Sequence, residues 1–433
     1  MIFTDDDLLH IKQFAEFLKI DTISGTGATS GGYKKAVEYL KKLLDDIGLI
    51  TKILPESLDN KPLLVAQWYP HDDDDDDTFK SGILLNSHYD VVPIDEKSWT
   101  KPAFAGLIEN GKIYGRGAQD MKCVCIQYII AINQLKKVGY KPTRNIYLSF
   151  VPDEEIGGED GMCKLLQSKW YSEIKIDLAL DEGLASEDDG FSVFYGERLP
   201  WWIRIIALGN TGHGSRFIDN TAVEKISHII NNALEFRELQ RTLLHGGKCN
   251  SEHNNCSHSV AIKRTLGDVT TLNVTYIHAG IEIGGKPVLN VIPNKAEACF
   301  DIRISPHTPP QDISDILDKW CNNEKNTSWE FVNPGANQHA VTTTDSSNKW
   351  WLEFENVLIK KLNYKIKPQV FPAATDSRFL RAIGIKALGF SPIRNSEILL
   401  HENDEYLKEN VFIEGCAIYF DVIKHLASVD IDI

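Results

Sequence analysis

The sequence LLNSHYDVVP at residues 84–93 is an apolar run that ends in polar residues, a pattern typical of a buried strand. Side chains two residues apart in a strand point the same way, so His88 and Asp90 are expected to share a face. A carboxylate at this spacing can orient an imidazole and raise its basicity as a metal ligand. Alone, a His-X-Asp pair is more often structural, so other parts of the chain have to decide between these interpretations.

Apolar segments on both sides of this strand alternate between strand-like and helical periodicity. The predicted strands lie at residues 81–85, 146–151, 176–180 and 387–390, and the predicted helices at residues 33–47, 121–138, 350–362 and 405–426. Strands that alternate with helices predict α/β layers around a mixed, largely parallel sheet.

The middle of the chain has a different pattern. Its predicted strands lie at residues 201–208, 269–277 and 296–304, and its predicted helices at residues 221–242 and 313–321. The strands alternate as in an antiparallel sheet with one wet face. Two helices on one face of a four-stranded sheet would form a compact α+β module. We place this module at residues 200–310, inserted into a larger α/β domain formed by residues 1–199 and 311–433.

The chain of 433 residues is acidic, with 46 Lys and Arg against 61 Asp and Glu and a net charge of −15. This charge argues against nucleic acid and anionic membranes as partners. No stretch approaches the ~20 apolar residues of a membrane span, and the first residues, MIFTDDD, lack the basic region of a secretory signal. The eight cysteines are scattered and form no disulfide framework, which predicts a reducing, cytoplasmic location.

Two polar segments are predicted to be surface loops. The acidic run at residues 72–77 repels itself and should be solvated, with weak Ca²⁺ binding as the alternative. Residues 243–259 are rich in Gly, Asn and His and also contain two cysteines. Their spacing fits no ordinary zinc module, so a flexible loop is predicted, with metal binding as the alternative.

Four further motifs place acids or a histidine next to apolar segments. They are GRGAQDMK (115–122), DEEIGG (153–158), DEG (181–183) and HENDE (401–405). Each alone has an ordinary explanation, such as a helix-capping aspartate or solvated glutamates on a turn. Together with His88, they place two histidines and three carboxylates in the α/β part, where ligands gather at the C-terminal ends of strands. This set suits a pair of zinc ions with one bridging carboxylate.

The motifs SHYD (87–90), GRGAQDMK, DEEIGG and DEG resemble those of the M20 dinuclear zinc peptidases. The resemblance runs from about residue 8 to the C-terminus. Within the family, other segments are similar to the aminoacylase branch, and these are VFYGERLPWW (193–202), GHGSRF (212–217), PAATDSR (372–378) and ALGFSP (387–392).

The resemblance implies a role for individual residues of the α/β part. The implied ligands of two zinc ions per subunit are His88, Asp120, Glu155, Glu182 and His401. Asp120 would bridge the two ions, Glu154 would be the general base, and Asp90 would orient His88. A cis peptide bond after Asp120 is also implied.

For the smaller module, the resemblance implies a lid and dimerisation domain of a homodimer. His213 would reach the partner's active site and stabilise the oxyanion. Asn290 and Arg303 would hold the substrate carboxylate, with Thr375 and Arg378 as further candidates. The ordinary explanations are a surface ion pair for Arg303 and a loop histidine for His213.

The implied reaction is the zinc-dependent hydrolysis of N-acyl-L-amino acids, with N-acetyl groups and apolar side chains favoured, to a carboxylate and a free L-amino acid. One alternative is another M20 activity, such as that of a dipeptidase, a carboxypeptidase or a deacetylase for a polar N-acetyl amino acid. A binding or scaffold protein on an inactive hydrolase fold is a second alternative. A Ca²⁺-binding protein that acts through the acidic run is a third.

Overall fold

The computed structural model describes residues 3–69, 81–246, 264–332 and 337–429. The acidic run at residues 72–77 and the part of the polar segment from residue 247 onward lie outside the described residues, so their loop character stays a prediction. None of the helices in the described part of the chain combines the length and the apolar character that a membrane span needs.

Helices and strands follow one another through each of the described ranges. The α-helices are α1 (Asp5–Leu18), α2 (Gly27–Ser30), α3 (Gly32–Asp46), α4 (Lys122–Lys137), α5 (Met162–Gln167), α6 (Lys169–Ser172), α7 (Ala222–Leu244), α8 (Pro310–Asn322), α9 (Lys349–Glu355), α10 (Ser377–Ala382) and α11 (Glu409–Leu426). The strands are β1 (Ile50–Ile53), β2 (Leu64–Trp68), β3 (Gly82–His88), β4 (Leu107–Glu109), β5 (Lys112–Tyr114), β6 (Ile146–Val151), β7 (Ile176–Asp181), β8 (Gly190–Glu197), β9 (Leu199–Leu208), β10 (Gly212–His213), β11 (Thr271–Ala279), β12 (Glu282–Ile283), β13 (Lys286–Pro287), β14 (Val291–Ile292), β15 (Lys295–Ile304), β16 (Thr327–Phe331), β17 (Lys365–Phe371), β18 (Lys386–Gly389) and β19 (Tyr406–Lys408). Short 3-10 turns lie at Glu154–Ile156 and Leu266–Asp268, and the π-helical segment Asn356–Lys361 continues α9.

The chain divides into two compact units. The first unit consists of Met1–Tyr195, Thr342–Gln369 and Thr375–Ile433, and the second consists of Gly196–Val341 and Val370–Ala374. The first unit is therefore discontinuous in sequence.

The first unit contains an eight-stranded sheet in the order β1-β2-β6-β3-β7-β18-β8-β17. Its central strands β6, β3, β7 and β18 run parallel to one another, whereas β1, β2 and β8 join antiparallel. All residues of β3 and β6 are buried, and twelve of the sixteen residues of α4 are buried as well. Central strands of a parallel sheet are covered on both faces, which explains their continuous apolar runs. The predicted mixed, largely parallel sheet is confirmed.

The second unit contains an antiparallel sheet in the order β11-β15-β9-β16. Side chains of β15 alternate, so that Ala296, Ala298, Phe300, Ile302 and Ile304 form one buried face. Apolar residues of α7 and α8 belong to the same core. The sheet therefore has helices against one face, as an amphipathic pattern of period two requires.

The bounds of two predicted features differ from those in the structure. The predicted inserted module ended near residue 310, but α8 and β16 belong to the second unit because they complete its core and its sheet. The helix predicted at residues 405–426 begins only at Glu409, because residues 406–408 form β19 and pair with β5. The roles of lid and dimerisation domain stay predictions.

Replacement of a buried lysine should show how much its hydrogen bonds contribute to the stability of the second unit. Lys225 is buried on α7, and its Nζ donates to the backbone oxygens of Leu208 and Lys325, both at 2.7 Å. Lys225→Met leaves both carbonyls without this donor and should lower the free energy of unfolding by about 1–3 kcal/mol. The urea midpoint of the full chain measures this, with the exposed Lys319→Met on α8 as control. Equal midpoints for the two variants would contradict the expectation.

Candidate metal centre

Histidine and carboxylate side chains of the first unit meet at one edge of its sheet. His88 is the last residue of β3, Glu154 and Glu155 follow β6 after a short turn, and Glu182 directly follows β7. Because β6, β3 and β7 are parallel neighbours, their C-terminal ends lie side by side. This edge is where α/β folds place their ligands.

Asp120 lies between the two predicted ligand histidines. Its Oδ1 is 3.1 Å from Nε2 of His88, and its Oδ2 is 3.2 Å from Nε2 of His401. The peptide bond between Asp120 and Met121 is cis, as the resemblance implies. The N-cap of α4 is Met121, so the ordinary explanation of Asp120 as a helix cap does not hold.

Each histidine is also close to one glutamate. Nε2 of His88 lies 3.5 Å from Oε2 of Glu182, and Nε2 of His401 lies 3.2 Å from Oε2 of Glu155. The five side chains thus form two sets, one around each imidazole, that share the carboxylate of Asp120. The Asp120 and Glu155 side chains are 9% and 6% exposed, whereas the His401 side chain is 48% exposed.

The acids of this cluster are crowded in a place with little water. Burial, followed by the charge of Glu182, raises the pKa of Glu154 well above its usual range. Burial, followed by the charge of Asp120, raises the pKa of Glu155 to about 7 and that of Glu182 well above its usual range. Oε1 of Glu155 is buried and has no hydrogen-bond partner. Such a cluster favours cations, which would compensate the buried negative charge.

The donor set fits a divalent metal pair. Nδ1 of His88 lies 3.0 Å from the backbone oxygen and 3.4 Å from Oδ1 of Asp90, which leaves Nε2 to face Asp120. A histidine held in this way by its other nitrogen is typical of metal ligands. Two imidazoles and three carboxylates are ligands that zinc accepts.

Asp90 also holds the turn that carries the paired glutamates. Its carboxylate accepts the backbone amides of Glu154 at 3.2 Å and Glu155 at 3.3 Å, and the hydroxyl of Ser24 at 2.7 Å. The same side chain therefore connects the end of β3 with the turn after β6. Sequence reasoning assigned Asp90 to His88 alone and missed this second connection.

Asp153, just before the paired glutamates, has a positive φ of 60° and a buried side chain. The hydroxyl of Tyr33 donates to its Oδ1 at 2.8 Å, and the ammonium of Lys61 donates to its Oδ2. Neither donor was predicted from the sequence, because Lys61 lies 92 residues from Asp153 and no motif contains it. These bonds hold the backbone at the entry to the turn.

The last four residues of the PAATDSR segment, 375–378, belong to the first unit and lie beside the same sheet edge. Ser377 donates its hydroxyl to Oδ2 of Asp181 at 2.7 Å, and its backbone amide donates to Oγ1 of Thr375 at 3.2 Å. Arg378 donates to the backbone oxygen of Gly157 at 3.0 Å. Of the predicted substrate-binding residues, Thr375 and Arg378 therefore lie in the first unit beside the proposed ligand segments.

The other predicted substrate and oxyanion residues lie in the second unit. β10 and β14 pair so that His213 faces Val291, and the backbone amide of Gly214 donates to the backbone oxygen of Asn290 at 2.8 Å. This pairing brings His213 and Asn290 together. The His213 ring is exposed, with Nδ1 2.8 Å from the hydroxyl of Ser215.

Arg303 makes a two-point ion pair within the second unit. Its Nε and Nη2 lie 2.7 and 3.0 Å from the two carboxylate oxygens of Asp301. An ion pair of this kind is the ordinary explanation that the sequence analysis gave for Arg303. Its part in holding a substrate carboxylate stays a prediction.

A family model described as peptidase family M20/M25/M40 matches residues 84–425, a span that contains all five predicted ligands. The chain belongs to this family. Among its relatives, Aminoacylase-1 from Dictyostelium discoideum is 41% identical over 97% of this chain and 98% of the relative. Aminoacylase-1 from Sus scrofa is 38% identical over 96% of this chain and 95% of the relative.

Solved structures with this fold include other family members. An M20 family metallo-carboxypeptidase from Sulfolobus solfataricus has a TM-score of 0.66 at 20% identity, covering 98% of this chain and 100% of the other. A dinuclear metal-binding peptidase of the M20 family from Bacillus subtilis has a TM-score of 0.65 at 12% identity, covering 96% and 97%. The predicted M20 fold is thereby confirmed.

A divalent cation should stabilise this M20 member against heat. A cation that binds only the folded chain adds about 2.7 kcal/mol when its free concentration is 100 times its dissociation constant. Chelated protein should therefore melt at a lower temperature than the same protein after zinc is added back. His401→Ala should reduce this rise, whereas His425→Ala, outside the cluster and paired with Glu353, should keep it. The same rise in both variants would contradict a metal site at His401.

Proposed function

We propose that this chain is a zinc-dependent amidohydrolase that cleaves N-acyl-L-amino acids, preferentially N-acetyl derivatives with apolar side chains, to a carboxylate and a free L-amino acid. One observation carries the proposal: two histidine–carboxylate sets share Asp120, and the buried Glu154 has a carboxylate oxygen within 4.8 Å of ligand atoms of His88 and Glu182. Relatives named Aminoacylase-1, at 41% and 38% identity, support the choice of this activity within the family.

The proposed zinc ligands divide into two sets of three residues. His88, Asp120 and Glu182 would hold one ion, and Asp120, Glu155 and His401 would hold the other. When bound, the pair would supply Lewis acidity that lowers the pKa of water towards about 7 and polarises the acyl carbonyl.

Glu154 is the proposed proton carrier. Its carboxylate takes one proton from the attacking water, whose oxygen bonds to the acyl carbon. When the carbon–nitrogen bond breaks, the carboxylic acid of Glu154 returns that proton to the leaving nitrogen. One water is consumed, and Glu154 ends in its starting state. Asp90 supports this step by holding the backbone amide of Glu154 at 3.2 Å.

The remaining roles are proposed from the resemblance. His213 is proposed to donate to the oxyanion in the partner's active site of a homodimer. Removal of such a donor typically costs about 10²–10³-fold in kcat. Arg303 offers a planar fork that suits the substrate carboxylate, with Asn290 as its companion and Thr375 and Arg378 as further contacts.

A cytoplasmic location is also proposed. All six cysteines among the described residues are free, and Cys123 and Cys125 are buried on α4. Cysteines that remain as free thiols are typical of proteins in a reducing compartment.

The first test is the release of free methionine from N-acetyl-L-methionine, measured on chelated protein and again after zinc is added back. We expect little turnover without metal and restored turnover with zinc, because the proposed mechanism needs the Lewis acid. Full activity in the chelated protein would contradict zinc dependence. No turnover with two zinc ions bound per chain would reject the proposed substrate class and favour a dipeptide or a polar N-acyl amino acid.

Glu154→Ala tests the proton carrier separately from metal binding. The variant should lose about 10²–10⁴-fold in kcat, because a positioned general base contributes that much, while it still binds two zinc ions. The exposed Glu159→Ala, five residues further along, is the matched control and should keep its activity. Unchanged turnover in zinc-loaded Glu154→Ala would remove Glu154 from the proposed mechanism.

A further inference from the structure

Glu405 is a buried carboxylate that holds the backbone of the loop before Asp120. Its side chain is 1% exposed. Oε2 accepts the backbone amide of Gly117 at 3.0 Å, and Oε1 accepts those of Gln119 at 2.6 Å and Asp120 at 3.4 Å. Glu405 lies in the segment that follows His401. Its carboxylate therefore accepts the backbone amides of the loop that carries Asp120, another candidate ligand.

Arg116 makes the corresponding connection in the opposite direction. Its guanidinium is 3% exposed and lies in the loop before Asp120. Nη2 donates to the backbone oxygen of His401 at 3.3 Å, and Nη1 donates to that of Glu402 at 3.0 Å. Nη1 also lies 3.0 Å from Oε2 of Glu405, so the two charges neutralise each other.

The side chain of Gln119 adds a third connection between the same two segments. Nε2 donates to the backbone oxygens of Glu397 and Tyr406, each at 3.0 Å. Oε1 accepts the backbone amide of Leu399 at 3.1 Å. We call Arg116, Gln119 and Glu405 the reciprocal clamp, because each side chain binds the backbone of the other segment.

The conformation of His401 explains why its segment needs such support. His401 has a φ of 61°, in the left-handed region that residues with a Cβ rarely adopt. Its side chain is half exposed, so packing around the imidazole contributes little to its position. The bond from Arg116 to its carbonyl acts directly on this unfavourable backbone geometry.

The other candidate set is held differently. His88 is part of the buried strand β3, and Glu182 directly follows β7 in the same sheet. Their backbones are positioned by the sheet and not by the clamp. Loss of Arg116 should therefore disturb the set around His401 more than the set around His88.

We propose that Arg116 and Glu405 are positioning residues that set the placement of His401 relative to Asp120, and so the affinity of the metal site formed by Asp120, Glu155 and His401. The inference rests on the proposed function, since it needs two metal ions. The clamp residues touch neither substrate nor the reacting atoms. Their effect reaches the reaction only through the ligands that they hold.

Arg116→Lys is the variant that tests this inference most closely. Lysine keeps a positive charge beside Glu405, but a single ammonium cannot reproduce the planar fork that reaches two carbonyls and a carboxylate. Arg144→Lys is the matched control. Arg144 is also buried, and it holds the backbone oxygens of Ser81 at 3.0 Å and Val429 at 2.6 Å in the same unit.

The experiment uses the full chain stripped of metal and titrated with zinc against a chromophoric chelator, with bound zinc per chain counted by mass spectrometry. The wild-type protein should bind two ions. In Arg116→Lys, the first ion should bind as in the wild type, and the second should bind about 10–100-fold more weakly, as expected when an outer partner of a ligand is lost. Arg144→Lys should bind both ions as the wild type does, even if its unfolding midpoint falls.

Several outcomes would overturn the inference. Wild-type affinity for both ions in Arg116→Lys would show that the clamp does not position the second site. An equal loss for both ions, or the same loss in Arg144→Lys, would reveal a general structural effect. If Arg116→Lys fails to fold, Gln119→Leu serves instead, since it removes the side-chain bonds to the backbone of Glu397, Leu399 and Tyr406 on both sides of His401 and should weaken the second ion in the same way. Fewer than two ions in the wild type would reject the proposed function itself, which is a distinct result.

Discussion

The carboxylate of Asp120 contacts the imidazoles of both His88 and His401, and the surrounding elements of the first unit are arranged to make these two contacts possible. Its two oxygens lie 3.1 and 3.2 Å from the two Nε2 atoms, so both histidines have to approach one buried group from different sides. His88 comes from a central strand and His401 from a segment 313 residues later. The parallel sheet brings the strand ends together, but only additional bonds can bring the His401 segment to the same place.

Burial of several acids in one region has a large electrostatic cost unless each one has partners. The buried acids that position the loops around the site have such partners, which are backbone amides, a hydroxyl and a guanidinium. Asp90 accepts two amides and the Ser24 hydroxyl, and Glu405 accepts three amides and faces Arg116. Glu155 at the centre is different, because its Oε1 is buried without a partner. This contrast separates the acids that support the site from the acid that offers a free oxygen to a cation.

The features that were predicted correctly from the sequence are those that depend on residues close together in the chain. The buried strand 146–151 and the helix over residues 33–47 follow from apolar periodicity, and the acids after each strand follow from motifs a few residues long. The features it missed depend on contacts between distant residues. Residues 406–408 carry an apolar pattern that continues into α11, yet they pair with β5, almost 300 residues earlier. The bonds from Lys61 to Asp153 and from Arg116 to Glu405 likewise leave no mark in the local sequence.

The metal ligands alone do not select among amides, because a metal-activated water can attack an acyl group of many kinds. Substrate specificity needs groups that bind the rest of the substrate. Arg303 is proposed to bind the substrate carboxylate. In this structure its fork already binds the carboxylate of Asp301, at 2.7 and 3.0 Å. Both side chains are 27% exposed, and pairs near the surface contribute only about 0–1 kcal/mol. A substrate carboxylate could therefore replace Asp301 at small cost, and the exchange would favour substrates with a free carboxylate over neutral amides, since only an anion restores the two-point pair.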